Sequence, residues 1–391
     1  MSAPAGAPRL RILYTGAFRF PEGDAAAFRV QAVARLFSEA GHEVAFAGWE
    51  DGAAPYTYAG SDCFPQSEFR SERVPALTRL AGFLLRGRRT LAWLKTVPAY
   101  DVVIAYNPPA IFAILLKSYG RAHGIKVVID STEWYQASHL PGGAWGPAAA
   151  ENWLRMHLAY RLYPNLIVIS RLLERHFSGR NLVRIPPLLP VPLAPVARAI
   201  PGPALRILYA GEAGRKDRLA QLVTALPALA AQLALPLELH IAGMDQAQLR
   251  ALPGMPAWGP GLAAQVQCHG RVAREQVLAL YRHCHFSVLF REDARYAHAG
   301  FPTKAMESWS QGCPLITNAV GDLRALAVHM GNAIVLEEDQ LVTGLGPLLG
   351  ALLTPGRYDA MVRQCLATAE AQFAPERYAG PVADFVRQLK N

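Results

Sequence analysis

A chain of 391 residues exceeds what one ordinary core organises, so two domains are expected. With 52% hydrophobic and 18% charged residues the sequence is globular rather than disordered, and no apolar run reaches the roughly 18 residues that cross a bilayer. The formal charge of +9 calls for an anionic partner; no zinc finger, aromatic–basic interleaving or recognition helix occurs, which leaves phosphorylated small molecules or an anionic membrane ahead of nucleic acid.

The opening "MSAPAGAPRLRILY" lacks a signal peptide's apolar core, and a cytoplasmic location is expected. "LRILYTG", Leu10 to Gly16, is an apolar run ending in glycine, the pattern of a buried parallel strand feeding a turn. The loop "AFRFPEGDAAA" carries Gly23 and Asp24. A helical pattern through Val30, Val33, Ala34, Leu36 and Phe37 follows, closes at Gly41, and gives way to the strand "HEVAFAG". Residues 75–98 mix Leu80, Phe83, Leu84, Leu91, Trp93 and Leu94 with Arg79, Arg86, Arg88, Arg89 and Lys95. They read either as an interfacial helix on anionic lipid or as a core-packed helix with a solvated basic face. "DVVIAY" and "KVVID" continue the first sheet, the latter supplying Asp130 and, beyond it, Glu133. "NLIVIS" closes the sheet, with Ser170 as N-cap of the next helix.

Proline density across 191–203 precludes a continuous helix and marks a stiff linker. It divides an N-terminal domain, 1–190, from a C-terminal domain, 204–372; residues 373–391 form a last helix able to pack on either. "LRILYAG", Leu205 to Gly211, echoes the first strand. Behind it come "EAGRKD" with Arg215 and Lys216, a helix through Leu219, Leu222, Val223 and Leu226, and the strand "LELHIAG". "QVQCHG", "FSVLF" and "PLITN" are further strands. Between the last two lie a polar loop, "REDARYAHAGFP", and a helix from about Thr303 to Gln311 ended by Gly312. Two β-α-β openings half a chain apart predict an α/β protein of two doubly wound domains, with ligands in the cleft between them.

Five scattered cysteines without a Cys-x-x-Cys suggest neither disulfides nor zinc, and His283-Cys284-His285, taken as part of a strand, points its side chains to alternate faces. No Walker A, Gly-x-Gly-x-x-Gly or Asp-x-Asp pattern occurs. A diphosphate here must therefore be met by side-chain cations, backbone N–H groups and helix ends, without a metal or cofactor. Arg215-Lys216 is either such a cation pair or a solvated basic turn. Thr303 is positioned to cap its helix, with Lys304 and Glu307 on one face: either a surface ion pair or a phosphate cation and a carboxylate for a ribose diol.

Four segments in order resemble the retaining glycosyltransferases of family 4 with the GT-B fold: "LRILYTG…GDAAAFRVQAVARLFSEAGHEV", "LRILYAGEAGRKDRLAQLV", "HGRVAREQVLALYRHCHFSVLF" and "GFPTKAMESWSQGCPLIT". The resemblance implies transfer of a sugar from a nucleotide diphosphate sugar to a sugar, lipid-linked or small-molecule acceptor, in polysaccharide or glycoconjugate synthesis. It places the donor in the C-terminal domain and the acceptor in the N-terminal one. Lys216, with Arg215, would stabilise the leaving diphosphate, and Glu307 would hold the ribose. Gly211, Arg291, Gly300, Phe301, Pro302, Thr303 and Lys304 would line the donor site. Gly23 and Asp24 would face the phosphate, with Asp130 and Glu133 on the acceptor side; the alternative for each carboxylate is a capping or solvated role. The family's first motif glutamate falls on Ala299, its Gly-Arg reads Gly211-Glu212, and its N-terminal-domain histidine is absent. A sugar-nucleotide epimerase of the same architecture, or a non-catalytic nucleotide-sugar-binding protein, are the alternatives. Peripheral contact with the inner membrane face through 75–98 is a further expectation.

Overall fold

The computed structural model describes residues 8–50, 52, 54–68, 85–189, 204–211, 219–337, 340–354 and 356–390. The linker at 191–203 and residues 75–84 of the basic–apolar stretch lie outside the described residues. Two compact units emerge: Met1–Leu188 with His298–Phe301 and Pro375–Asn391, and Leu189–Ala297 with Pro302–Ala374.

Among the described residues the first unit is built on eight strands: β1 (Arg11–Gly16), β2 (Glu43–Gly48), β3 (Tyr56–Tyr58), β4 (Ser61–Cys63), β5 (Val102–Tyr106), β6 (Lys126–Ser131), β7 (Asn165–Val168) and β8 (Asn181–Arg184). Their order is β3-β4-β2-β1-β5-β6-β7-β8, parallel except for the β3–β4 hairpin. Leu13 pairs with Ala45 on one side and Val103 on the other, so β1 is central, and its apolar run is buried on both faces. The helix Ala25–Glu39 starts where the Asp24 carboxylate accepts the Ala27 N–H at 2.8 Å. It ends at Gly41, φ +90°, whose N–H donates to the Ser38 carbonyl while that of His42 reaches Phe37. Val33, Leu36 and Phe37 are buried, worth about 1.5–3 kcal/mol each against exposure. The last helix, Glu376–Arg387, adds Val382 and Phe385 to this core.

Among its described residues the second unit has six parallel strands: β9 (Leu205–Ala210), β10 (Leu237–Ala242), β11 (Val266–Gly270), β12 (Phe286–Leu289), β13 (Leu315–Thr317) and β14 (Ala333–Val335). They run in the order β11-β10-β9-β12-β13-β14. The helix Leu219–Leu233 buries Leu222, Val223, Leu226 and Leu229 against them.

Several details depart from the sequence reading. "NLIVIS" does not close the first sheet: the four-residue β8 lies outside β7, too short to register as a periodic run. The loop before Thr303 contains a short helix, Arg295–Ala299. His283 ends the helix Arg274–His283 and Cys284 caps it, so the His-Cys-His run precedes β12 rather than lying on a strand. In the stretch 75–98, the described helix Arg88–Leu94 buries Leu94, and Trp93 packs 5.1 Å from Phe64 between ring centroids.

Candidate functional site

In the second unit the strand order, counted from β9, is that of a dinucleotide-binding sheet, and it reverses between β9 and β12. Ligands of open α/β sheets collect beyond the carboxyl ends of the strands at such a reversal. Three glycines stand there, one following or ending each of β9, β10 and β11: Gly211, Gly243 and Gly270, with φ of +130°, +110° and +66°. Their backbones interlock, the Gly211 N–H donating to the Ala242 carbonyl at 2.7 Å and the Gly243 N–H to Gly270 at 2.7 Å. A Cβ on Gly243 would lie 2.7–3.0 Å from backbone atoms of Gly211. No side chain fits at Gly243, and all three positions have the positive φ that favours glycine, so the strand rim is bare backbone.

Lys304 rests on that rim. A Cβ on Gly211 would fall 2.6 Å from both Cε and Nζ of Lys304. The ammonium donates to the Tyr209 hydroxyl at 3.3 Å and lies 4.4 Å from the centre of the Tyr209 ring, a cation–π contact on a buried aromatic. One turn on, Glu307 is partly buried. Burial raises its carboxyl above the usual range, opposed by Arg274 and then Lys304. The helix carrying both, Thr303–Ser310, is anchored by buried Met306 and Trp309, whose indole N–H donates to the Asn332 carbonyl at 2.9 Å.

Arg291 follows β12. Its N–H donates to Asn318 Oδ1 at 3.1 Å and its carbonyl accepts from Asn318 Nδ2 at 2.6 Å, which ties the exit of β12 to that of β13. Gly211, Arg291, Lys304 and Glu307 thus gather at one end of one sheet; Arg215 and Lys216 lie outside the described residues. Thr303 is not the cap: it is the exposed first residue of its helix, Pro302 holds the cap position, and no side chain caps it. Gly300 and Phe301 group with the first unit. There Ala299 is fully buried and its carbonyl accepts from Ser170 Oγ at 2.7 Å. Phe301 and Pro302 are buried.

In the first unit, Gly23 and Asp24 shape a turn. A Cβ at Gly23 would lie 2.7 Å from that of Arg19, and Asp24 accepts from the Arg19 N–H at 3.1 Å besides capping its helix. Asp130 cannot serve an acceptor. It is wholly buried, with Arg29 Nη2 at 2.8 Å from one oxygen, and Arg29 Nε at 3.2 Å and the Tyr14 hydroxyl at 2.6 Å from the other. Burial pulls the Arg29 guanidinium pKa down, but Asp130, together with Tyr14 and Tyr106, raises it and the net shift is upward. Glu133, partly buried, accepts from the Tyr135 hydroxyl. Gly243, Tyr209, Arg274 and Asn318 were not singled out from the sequence. The signal for the first was present, since "LYAG", "HIAG" and "QCHG" all end in glycine. Among the described residues no three His, Cys, Asp or Glu side chains are grouped so as to hold a metal ion.

Two family models match the chain: a "Glycosyl transferase 4-like domain" over residues 25–194 and "Glycosyl transferases group 1" over 204–353. No curated protein matches it. Among solved structures, sucrose-phosphate synthase from Thermosynechococcus elongatus is 16% identical with a TM-score of 0.69, covering 97% of this chain and 99% of that one. Anabaena HepE, solved with UDP, is 14% identical (TM-score 0.64; 97% and 100% covered). WaaG, a glycosyltransferase involved in lipopolysaccharide biosynthesis, is 15% identical (TM-score 0.63; 95% and 99% covered). At these identities the structural likeness establishes the GT-B fold, and the two domain models, which between them span most of the sequence, establish that the chain belongs to the GT4-type glycosyltransferases.

Proposed function

We propose that the chain moves a hexose or related sugar from a nucleotide diphosphate donor to an acceptor hydroxyl, with retention and without a metal, in polysaccharide or glycoconjugate synthesis on the cytoplasmic side. The observation that carries this reading is the Lys304 ammonium held on the glycine rim of β9, with the Glu307 carboxylate one turn behind it. The rim carries no side chain to hold a diphosphate off the strand ends, and Lys304 meets its charge. Glu307 accepts two hydrogen bonds from the ribose diol. Lys216 and Arg215, from the loop after β9, add cations where charge develops on the leaving group. A structural neighbour, Anabaena HepE, was solved with UDP-glucose, which supports a sugar nucleotide as donor.

In this scheme the bond from C1 to the diphosphate oxygen breaks and the bond from C1 to the acceptor oxygen forms on the same face. The acceptor's proton passes to the departing phosphate oxygen. The protein's part is to position both substrates and to stabilise the leaving negative charge. A thermal-shift panel of UDP-, GDP- and dTDP-sugars tests the donor site, because a ligand of the folded state raises its stability by mass action. One class should shift the wild type and shift Lys304→Met and Glu307→Gln much less. Incubation with that donor should give slow hydrolysis with the anomeric configuration kept; epimer formation, or no shift with any donor, would overturn the reading.

A further inference from the structure

We infer that the first unit docks on an anionic lipid bilayer through the outer face of the two helical segments that link β5 to β6 and β6 to β7. The segments are the helix Ala110–His123, and Pro147–Leu154 continued by a π turn, Arg155–Ala159, and a 3-10 turn, Tyr160–Leu162. Both connect neighbouring parallel strands, and right-handed crossovers put both on the same side of the sheet. They pack against each other: the Ala110 N–H donates to Glu151 at 3.0 Å, the Tyr160 hydroxyl to the Pro108 carbonyl at 2.9 Å, and the Tyr163 hydroxyl to the Ala113 carbonyl. Phe112, Leu116, Met156 and Tyr160 point inward and are buried.

The outward positions are not those of a solvated surface. Among the described residues, eight large hydrophobic side chains are exposed, and seven of them fall between 85 and 162. Ile114 and Leu115 come from the first segment. Trp153, Leu158 and Leu162 come from the second, 50–55% exposed at π- and α-like spacing along one side. Trp145 stands 99% exposed in the turn just ahead of it. One such residue is ordinary; five on two segments that pack together, with a sixth in the turn ahead, mark an interaction surface.

Charge selects the occupant. Between residues 85 and 180 the sequence has twelve arginines and lysines against five acids, so this quarter of the chain carries +7 of the total +9. Two of those acids are spent on Arg29 and Arg184. Exposed Arg121 and Arg161 flank the apolar face on its own segments. A second copy of the chain would bring like charge against like, whereas an anionic headgroup layer meets the arginines while tryptophan and leucine enter its boundary. None of the described helices is long and apolar enough to cross a membrane, so the contact is made by lying on the surface. This docking goes beyond the sugar-transfer reading and stands without it.

The test is co-sedimentation of the full chain with vesicles of phosphatidylglycerol and phosphatidylcholine, and with phosphatidylcholine alone, in the absence of donor and acceptor. The wild type should sediment with the anionic vesicles only and be released by salt. Arg121→Ser and Arg161→Ser should each weaken binding about fivefold. The double variant Trp153→Ser, Leu158→Ser should abolish it with an unchanged melting temperature. No sedimentation of the wild type, equal binding of that double variant, or a wild-type dimer that the double variant converts to monomer would each overturn the proposal. A chain that binds vesicles but shifts with no sugar nucleotide would leave docking intact and remove the donor reading.

Discussion

Gly211→Ala separates the cost to the fold from the cost to the site. The residue sits at φ +130°, where an L side chain is strained, at about 1–3 kcal/mol. For a domain of this size that lowers the melting temperature by about 2–4 °C per kcal/mol. The new methyl would lie 2.6 Å from Cε and Nζ of Lys304. Those atoms are the end of a flexible chain, so the ammonium moves and the backbone need not. Removing the ammonium from a bound diphosphate forfeits a charged hydrogen bond, about 1.5–3 kcal/mol, or roughly 10- to 150-fold in donor Kd. Gly211→Ala should therefore weaken donor binding by much of what Lys304→Met does. In the double variant the two losses should overlap rather than add, because both act on one ammonium. Isothermal titration of the four proteins with the donor from the thermal-shift panel measures the coupling. Additive losses, or Gly211→Ala binding like wild type, would show that Lys304 on the rim is not the phosphate cation.

Three further outcomes follow from the same geometry. Glu307 has its pKa raised by burial, so ionising it works against folding: its stability contribution is whole below the ordinary carboxyl range and is lost as pH rises through the folded value. Glu307→Gln should thus melt higher than wild type at neutral pH, converge with it in acid, and bind donor about tenfold or more weakly; a lower neutral melting temperature contradicts the sign. Asp130→Ala leaves Arg29 buried without its carboxylate and should cost about 3–5 kcal/mol by urea unfolding, with much of it recovered by adding Arg29→Met. Asp24→Ala should lose a helix cap, about 1 kcal/mol, and Asp24→Asn should restore it; turnover that collapses in both variants at unchanged stability would instead place Asp24 on the phosphate.

What the sequence made legible was whatever depends on short-range pattern. The runs "LRILYTG" and "LRILYAG" became β1 and β9 because a two-face-buried parallel strand has to be continuously apolar. Gly41 and Ser170 capped as read, each through contacts within a few residues. The glycines closing β9, β10 and β11 were visible as letters, but not as one rim. Their adjacency depends on strand order, which places β10 between β11 and β9 and is set by contacts far apart in sequence. Thr303 failed as a cap for a local reason: Pro302 already has the extended backbone of a cap position, at ψ 105°, so the helix begins one residue early.

Asp130 and Lys304 show how differently one fold can use charged residues near strand ends. Both belong to a segment at the carboxyl edge of a doubly wound sheet, and in sequence each reads as a candidate for substrate. The fold treats them oppositely. Asp130 points into the first unit, where Arg29 and Tyr14 occupy both its oxygens, and a desolvated pair of that kind is stable only while complete. Lys304 lies at the end of β9, against a position with no side chain and over the ring of Tyr209. A cation placed at a strand end beside bare backbone favours an approaching anion, which is what the proposed donor site requires of it. Ala299 is a third case. Its complete burial, with its carbonyl bound to Ser170, means that a carboxylate there would be desolvated inside the first unit.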